Sequence, residues 1–493
     1  MRYRAVQSAK REDGENRLNA QPEGRRQMEA QKTRSCGNGE IYLTGVKGYD
    51  TILWFFMGIR RAAQAKHRRA KGEMKHMKMT GVEKKLMARM ERHKWLLLYA
   101  AATLLSMLAR FALRGVISAD MDIFLLPWAQ VLKARGGIQA LGAQVGNYGV
   151  LYQTLIALTT YIPIHHEYAY KLLSICFDYA LAGACAVTVR DLSGSRLKAF
   201  LTYAFLLLLP TVVLNSAAWG QCDSIYVFFC VLCFRLLMRG KYTGAFLSYG
   251  MAFAFKLQAI FLAPFLILFY LKERKFSLLN VLLIPAVMIA SSIGGILEGR
   301  SILAPFQVYL EQAGYYPRIF LNYPSFWVPL ITYDVEKVYR ALSGVCIVTT
   351  MLMLLVELIL LLKRQDSMSP KAMLFAAFLM SYTCVLFLPA MHERYSYLYI
   401  ILGLVLAFLE PRTIVSYAVL VLLDLQTYGA YLFDAVRFPP TAENPELFEP
   451  LPFNVLSLIN TICFLSYVLI WARRSLGPAS ETGLQEKGEI SLR

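Results

Sequence analysis

The chain lacks several features that would place it in a familiar class. It has no HExxH pair, so a zinc protease is not indicated. Its hydrophobic segments show no internal repeat, which weakens a secondary transporter, a fold commonly built from repeats. No cleavable signal peptide is visible; residues 1–40 are charged and polar and read as disordered. The 9 cysteines lie mostly inside apolar segments (Cys176, Cys185, Cys230, Cys233, Cys346, Cys384, Cys463), which implies no disulfide framework. The CxxC spacing of Cys230 and Cys233 falls within such a segment and reads as small packing residues. Acidic residues are scarce, 33 against 52 Lys and Arg, for a formal charge of +19. Nucleic acid is not the expected partner, because most basic residues flank apolar segments or sit in the N-terminal tail.

What the chain has in abundance is apolar length. Of its 493 residues 57% are hydrophobic, against about 45–50% in soluble domains. Many stretches reach roughly 15–22 apolar residues, near the length that crosses a bilayer. The fold class expected is therefore an all-α polytopic membrane protein. Residues 1–94 read as a basic, largely disordered cytoplasmic tail, 95–472 as the membrane domain and 473–493 as a second cytoplasmic tail. The tail holds an apolar stretch at 51–59, too short to span, and a basic one at 60–94 with 13 Lys/Arg against 3 Glu, suited to anionic lipid.

Charge asymmetry sets the topology. Segment 148–164 is ambiguous in length. If it lies in the interface, spans follow at about 95–117, 168–189, 198–214, 222–238, 242–256, 257–271, 276–297, 338–362, 371–389, 394–409, 412–432 and 453–472. The inner loops then carry 15 basic residues and the outer side about 8, with an acidic outer loop at 433–453 (Asp434, Glu443, Glu446, Glu449). A crossing at 148–164 would invert every assignment. The expectation is thus twelve spans with both termini inside. Segments 242–256 and 257–271 are short and read as a hairpin leaving a gap for a lipid.

This topology puts four polar clusters on the outer side, where ionisable groups at membrane ends are costly unless used. Asp120 and Asp122 suit a general base or a metal pair; the alternative is a helix cap by Ser118 or Asp120. Asn215, Trp219, Gln221 and Asp223 combine amides, a carboxylate and a flat apolar face, a mixture suited to sugar; the alternative is a capped turn with Trp219 in the aromatic belt. Lys256, followed by Gln258, reads as a lone cation for phosphate or as a snorkelling side chain. His392, Glu393, Arg394 and Tyr395 open a span; Arg394 suits bidentate phosphate binding and His392 can share that role, the alternative being a Glu393–Arg394 cap network. Arg110, Arg114, Asp178, Glu357 and Asp424 are further intramembrane charges, and Asp178 requires a partner that the sequence does not identify.

SADMDIF, NYGVLYQTLIALTTYIP, PTVVLNSAAWGQCDSIY, FKLQAIFLAPF and LPAMHERYSYLY, in that order over about 95–410, together resemble bacterial GT-C membrane glycosyltransferases, specifically mannosyltransferases related to GPI mannosyltransferase II. The resemblance implies a GT-C fold with interfacial helices in the first outer loop. It also implies a polyprenyl-phosphate sugar donor, an inverting mechanism and cell-envelope glycan synthesis in the plasma membrane. By position the base falls to Asp120, with Asp122 second. Donor phosphate falls to Lys256, His392 and Arg394, and the QAGYYPRIFLNYPSFW loop is expected to shape the acceptor site. The acceptor is a lipid, glycan or protein; no cofactor is established, and a divalent metal on Asp120 and Asp122 stays open. The competing expectations are a lipid-linked glycan flippase or transporter and a polysaccharide polymerase or ligase.

Overall fold

The computed structural model describes residues 80–312, 315–331, 334–363, 368–435 and 451–476. The 1–40 segment expected to be disordered, the apolar stretch at 51–59, the acidic residues Glu443, Glu446 and Glu449, and the C-terminal tail beyond 476 lie outside the described residues. The chain divides into two compact units, 1–84 and 85–493. In the first, the described residues start a helix with a capping box: Glu83 N donates to Thr80 Oγ1 and Thr80 N to Glu83 Oε2.

The protein is all-α, and helices α1 to α17 follow in chain order. They are α1 Gly81–Ala112, α2 Leu126–Ala134, α3 Val150–Thr159, α4 His166–Ser193, α5 Arg196–Leu208, α6 Pro210–Val213, α7 Asp223–Met238, α8 Tyr242–Phe255, α9 Ala263–Glu273, α10 Leu283–Ser291, α11 Ile293–Leu297, α12 Ala304–Gln312, α13 Glu336–Leu362, α14 Pro370–Phe387, α15 Tyr397–Leu409, α16 Ile414–Ala435 and α17 Phe453–Leu476. A two-residue parallel pair, β1 Phe320–Leu321 with β2 Met391–His392, is the only sheet among the described residues.

Burial shows how the chain meets its solvent. α13 turns a narrow stripe inward, Cys346, Thr350, Leu354, Glu357 and Leu361, spaced by three and four as one helix face requires. Its remaining surface exposes Val345, Val348, Met351, Leu352, Leu355 and Val356. α1 likewise buries only Ala102, Ser106 and Arg110. Continuous exposed apolar surface of this length belongs in lipid. α14 and α15 are buried nearly all round and form the centre.

Among the described residues six helices are long and apolar enough to cross a membrane, or seven if α5 and the bent 210–219 segment count as one, so the protein is membrane-embedded and polytopic. The expected spans at 222–238, 242–256, 257–271, 276–297 and 394–409 contain α7, α8, α9, α10 and α15, of 16, 14, 11, 9 and 13 residues, each below the roughly 20 residues of a perpendicular crossing. Segment 148–164 yields only the 10-residue α3, about 15 Å long at 1.5 Å per residue. It packs on α2, α8 and the turn Gly137–Gly142. Between α8 and α9, Lys256 is extended (φ −155°, ψ 136°) and breaks the helix. α8 packs mainly on α7 and α10, and α9 on α14 and α13.

Candidate functional site

Asp120 follows α1. The capping alternative divides between its two candidates: Ser118 Oγ accepts from Met121 N at 3.2 Å, whereas Asp120 caps nothing. Its carboxylate is therefore available to distant segments. Oδ2 accepts from Arg394 at 2.9 Å, Trp219 Nε1 at 3.0 Å and Gln221 Nε2 at 3.3 Å, and Oδ1 from the Tyr431 hydroxyl at 2.8 Å. Burial pushes the carboxyl pKa up, but the Arg394 charge and the bonds from Tyr431, Arg394 and Trp219 outweigh it and hold it below the usual value.

The WGQCD run reaches Asp120 through an unusual backbone. Pro210 ends α5 with a 50° bend, and Leu214–Trp219 is a π-turn, a widened coil frequent at functional sites. Gly220 closes it at φ +71°, a conformation that costs glycine little, and Gln221 N then donates to Asn215 O at 2.9 Å. Trp219 stacks on Tyr431 at 4.7 Å, with the Arg394 guanidinium 5.4 Å from its centroid. Tyr148 donates to Gln221 Oε1 at 2.5 Å. Burial raises the Tyr148 pKa well above its usual value, so this hydroxyl stays a donor.

Asp120, Gln221, Lys256, Gln258, His392, Glu393, Arg394 and Tyr395 line one cavity of about 310 Å³, so most of the expected residues converge. Four do not reach it: Asn215, Trp219 and Asp223, and the exposed Asp122. The first three are fully buried and stand behind its wall. Asp223 accepts from Lys256 Nζ at 2.5 Å and from Asn215 Nδ2 at 2.9 Å. Lys256 is thus neither a lone cation nor a snorkelling one: it is buried and ion-paired.

Asp122 is exposed and outside the cavity, because the residue two places on in the coil turns away from Asp120. The two aspartates do not fit a shared divalent cation: one faces out, and the other has both oxygens occupied by four donors, one of them a guanidinium. No group of three or more potential His, Cys, Asp or Glu ligands occurs among the described residues.

The cavity also takes residues that sequence reasoning left unassigned: Trp128, Asn147, Tyr148, Tyr309 and Tyr431. The 312–327 loop contributes Gln312, Tyr315, Tyr316 and Asn322 to the lining. Its β1 strand pairs Leu321 with His392, and Tyr316 meets the His392 ring edge-on at 5.1 Å. Three lining polar groups have a buried atom with no hydrogen-bond partner: Glu393 Oε2, Gln258 Oε1 and Arg394 Nε.

The intramembrane charges resolve as structural pairs. Asp178 accepts from Arg110 at 2.7 and 3.1 Å and from Ser216 Oγ at 2.6 Å. Glu357 accepts from Thr383 at 2.6 Å, and Asp424 from Ser396. Arg114 is exposed and bonds its own helix end. Cys230 and Cys233 are buried, unpaired packing residues. No protein-family model matches the chain, and no curated protein matches it.

Proposed function

We propose that the protein is an integral-membrane glycosyltransferase of GT-C type that moves a hexose, mannose being the first choice, from a polyprenyl-phosphate donor to a hydroxyl of a lipid, glycan or protein acceptor. In this reading the chain crosses the plasma membrane twelve times with both termini inside, and the cavity opens on the outer face. One observation carries it: a single cavity joins a carboxylate, two cations and buried acceptor and donor atoms that lack partners. Other unpartnered buried oxygens, such as Glu357 Oε2, sit in packed helices, whereas Glu393, Gln258 and Arg394, each with one unpartnered buried atom, line a space that a ligand can fill. Two acceptors suit sugar hydroxyls and the guanidinium suits phosphate.

The acceptor oxygen attacks the anomeric carbon, and a C–O bond forms as the sugar–phosphate C–O bond breaks. The electron pair of that bond leaves with the phosphate, and the hydroxyl proton passes to Asp120. Arg394, with Lys256 and His392 beside it, stabilises the leaving charge in a water-poor site. Asp120 becomes a better base as this happens: a phosphate that draws Arg394 away removes the charge lowering its pKa, while the burial that raises it persists. Trp219 and Asp223 act from behind the wall, the first on Asp120 and the second on Lys256.

The test is transfer from labelled polyprenyl-phosphate hexoses by membranes carrying wild type, Asp120→Asn or Asp122→Asn. Loss of a general base predicts a fall of about 10²- to 10⁴-fold for Asp120→Asn and little change for Asp122→Asn. Equal consumption by wild type and Asp120→Asn overturns the assignment. Transport of a lipid-linked sugar into sealed vesicles, unaffected by Asp120→Asn, would favour the flippase instead.

A further inference from the structure

A second cleft, of about 680 Å³, lies between α2 and the turn leading into α4. It shares no lining residue with the cavity around Asp120. The coil Met121–Leu125 and α2 separate the two: Phe124, Leu125 and Trp128 line the first cavity, and Leu126, Gln130 and Lys133 the second, the latter spaced by four and three along one helix face.

The lining is amphipathic. Lys133, His165, His166 and Gln130 can all donate hydrogen bonds, against the single carboxylate of Glu167. His166 Nδ1 is buried without a hydrogen-bond partner, which a bound acceptor would remedy. The rest of the wall is Leu126, Ala134, Ile162, Pro163 and Ile164. On the same turn Tyr161 and Ile162 are 61% and 59% exposed, large apolar groups of the kind that sit in the bilayer interface. A free anion would satisfy the basic side and leave the apolar side bare; an uncharged lipid would do the reverse.

We infer that this cleft binds the phosphate headgroup of an anionic lipid, with Lys133 and His166 on the phosphate and Leu126, Ile162 and Ile164 against the chain. The inference stands apart from the proposed transfer reaction, because none of these residues lines the cavity assigned to it.

The full chain, purified in neutral detergent, is exposed to equimolar phosphatidylglycerol and phosphatidylcholine, and retained lipid is counted by mass spectrometry. Wild type is expected to retain phosphatidylglycerol at least fivefold over phosphatidylcholine. Lys133→Gln with His166→Gln is expected to lose that preference while eluting as the same monodisperse species, and Lys133→Arg to keep it. Equal retention of both lipids by wild type, or an unchanged preference in the double variant, overturns the proposal. Two competition arms identify the source of the phosphate. Displacement by a short-chain polyprenyl phosphate but not by inorganic phosphate supports a lipid-borne phosphate and names the isoprenoid carrier as the better ligand. Displacement by millimolar inorganic phosphate shows a site for the free anion and overturns the lipid part.

Discussion

Removing Arg110 tests whether the buried charge inside the bundle is a brace. Arg110 and Asp178 are 3% and 0% exposed. The guanidinium gives Asp178 two bonds, at 2.7 and 3.1 Å, and its third nitrogen donates at 2.8 Å to the Leu207 carbonyl, at the end of α5 just before the Pro210 break. Arg110→Met keeps the length and removes all three. Asp178 is then held by Ser216 in an apolar surround, and the Leu207 carbonyl loses its donor. Breaking one side of a buried pair costs about 3–5 kcal/mol, while replacing both sides with apolar residues is often neutral. The double variant Arg110→Met with Asp178→Leu should therefore recover most of the loss. Ser216 adds little to the deficit, because its hydroxyl already reaches the Val212 carbonyl at 3.1 Å. The assay is unfolding of the purified chain in mixed micelles against denaturing detergent, for wild type, both single variants and the double. A loss under about 1 kcal/mol for Arg110→Met, or a double variant as unstable as the worse single, would refute the reasoning, since an exposed or water-screened pair has that signature.

Other consequences follow from the site. Because the Asp120 pKa is lowered, its contribution to stability is present above the unfolded value near ~3.9 and is lost as pH falls through the lower folded value. In Arg394→Gln the charge that lowers it is gone and the folded pKa rises toward the unfolded one, so the acid-side fall in melting temperature that this carboxyl causes, followed from pH 3 to 7, should be smaller in the variant than in wild type. Lys256→Met strands the buried Asp223 carboxylate and should lower stability by about 3–5 kcal/mol. Adding Asp223→Asn should restore stability but not donor affinity, which separates the pair's structural role from its phosphate role. At Gly149 a Cβ would lie 2.5 Å from the Ala254 backbone oxygen, so Gly149→Ala must displace the end of α8 beside Lys256. A cost of about 1–3 kcal/mol should appear as a lower melting temperature, together with weaker donor binding.

The positions of the polar clusters were legible in the sequence because a bilayer tolerates ionisable groups only where they are used. Asp120, Gln221, Lys256 and the His392–Tyr395 run could be read as one site before any coordinate. Their partners could not be read, because pairing is set by the path of the chain. Asp120 meets Tyr431 across 311 positions and Asp178 meets Arg110 across 68, distances over which residue type carries no register. Tyr148, Tyr309 and Tyr431 are three of 29 tyrosines, and in sequence nothing separates them from Tyr382 or Tyr467, which are buried in the core. A hydroxyl becomes a site group only when the backbone brings it a carboxylate or an amide. The β1–β2 pairing, two residues on each strand, is too short to leave a period-two pattern. The same limit explains Lys256, whose sequence context shows an isolated cation and whose folded context supplies a carboxylate 33 positions away. Charge type in a membrane segment thus says that a group is used. Whether it is used by the fold or by a ligand depends on where it sits as well as on its partners: Asp178 Oδ2 takes Arg110 and Ser216 inside the helix bundle, whereas Glu393 lines the cavity with Oε2 unbonded and His392 Nδ1 3.7 Å away. A buried carboxylate oxygen that lacks a hydrogen bond keeps part of its desolvation cost until something binds, and in a residue that lines a cavity that standing cost is the physical reason to place the ligand there.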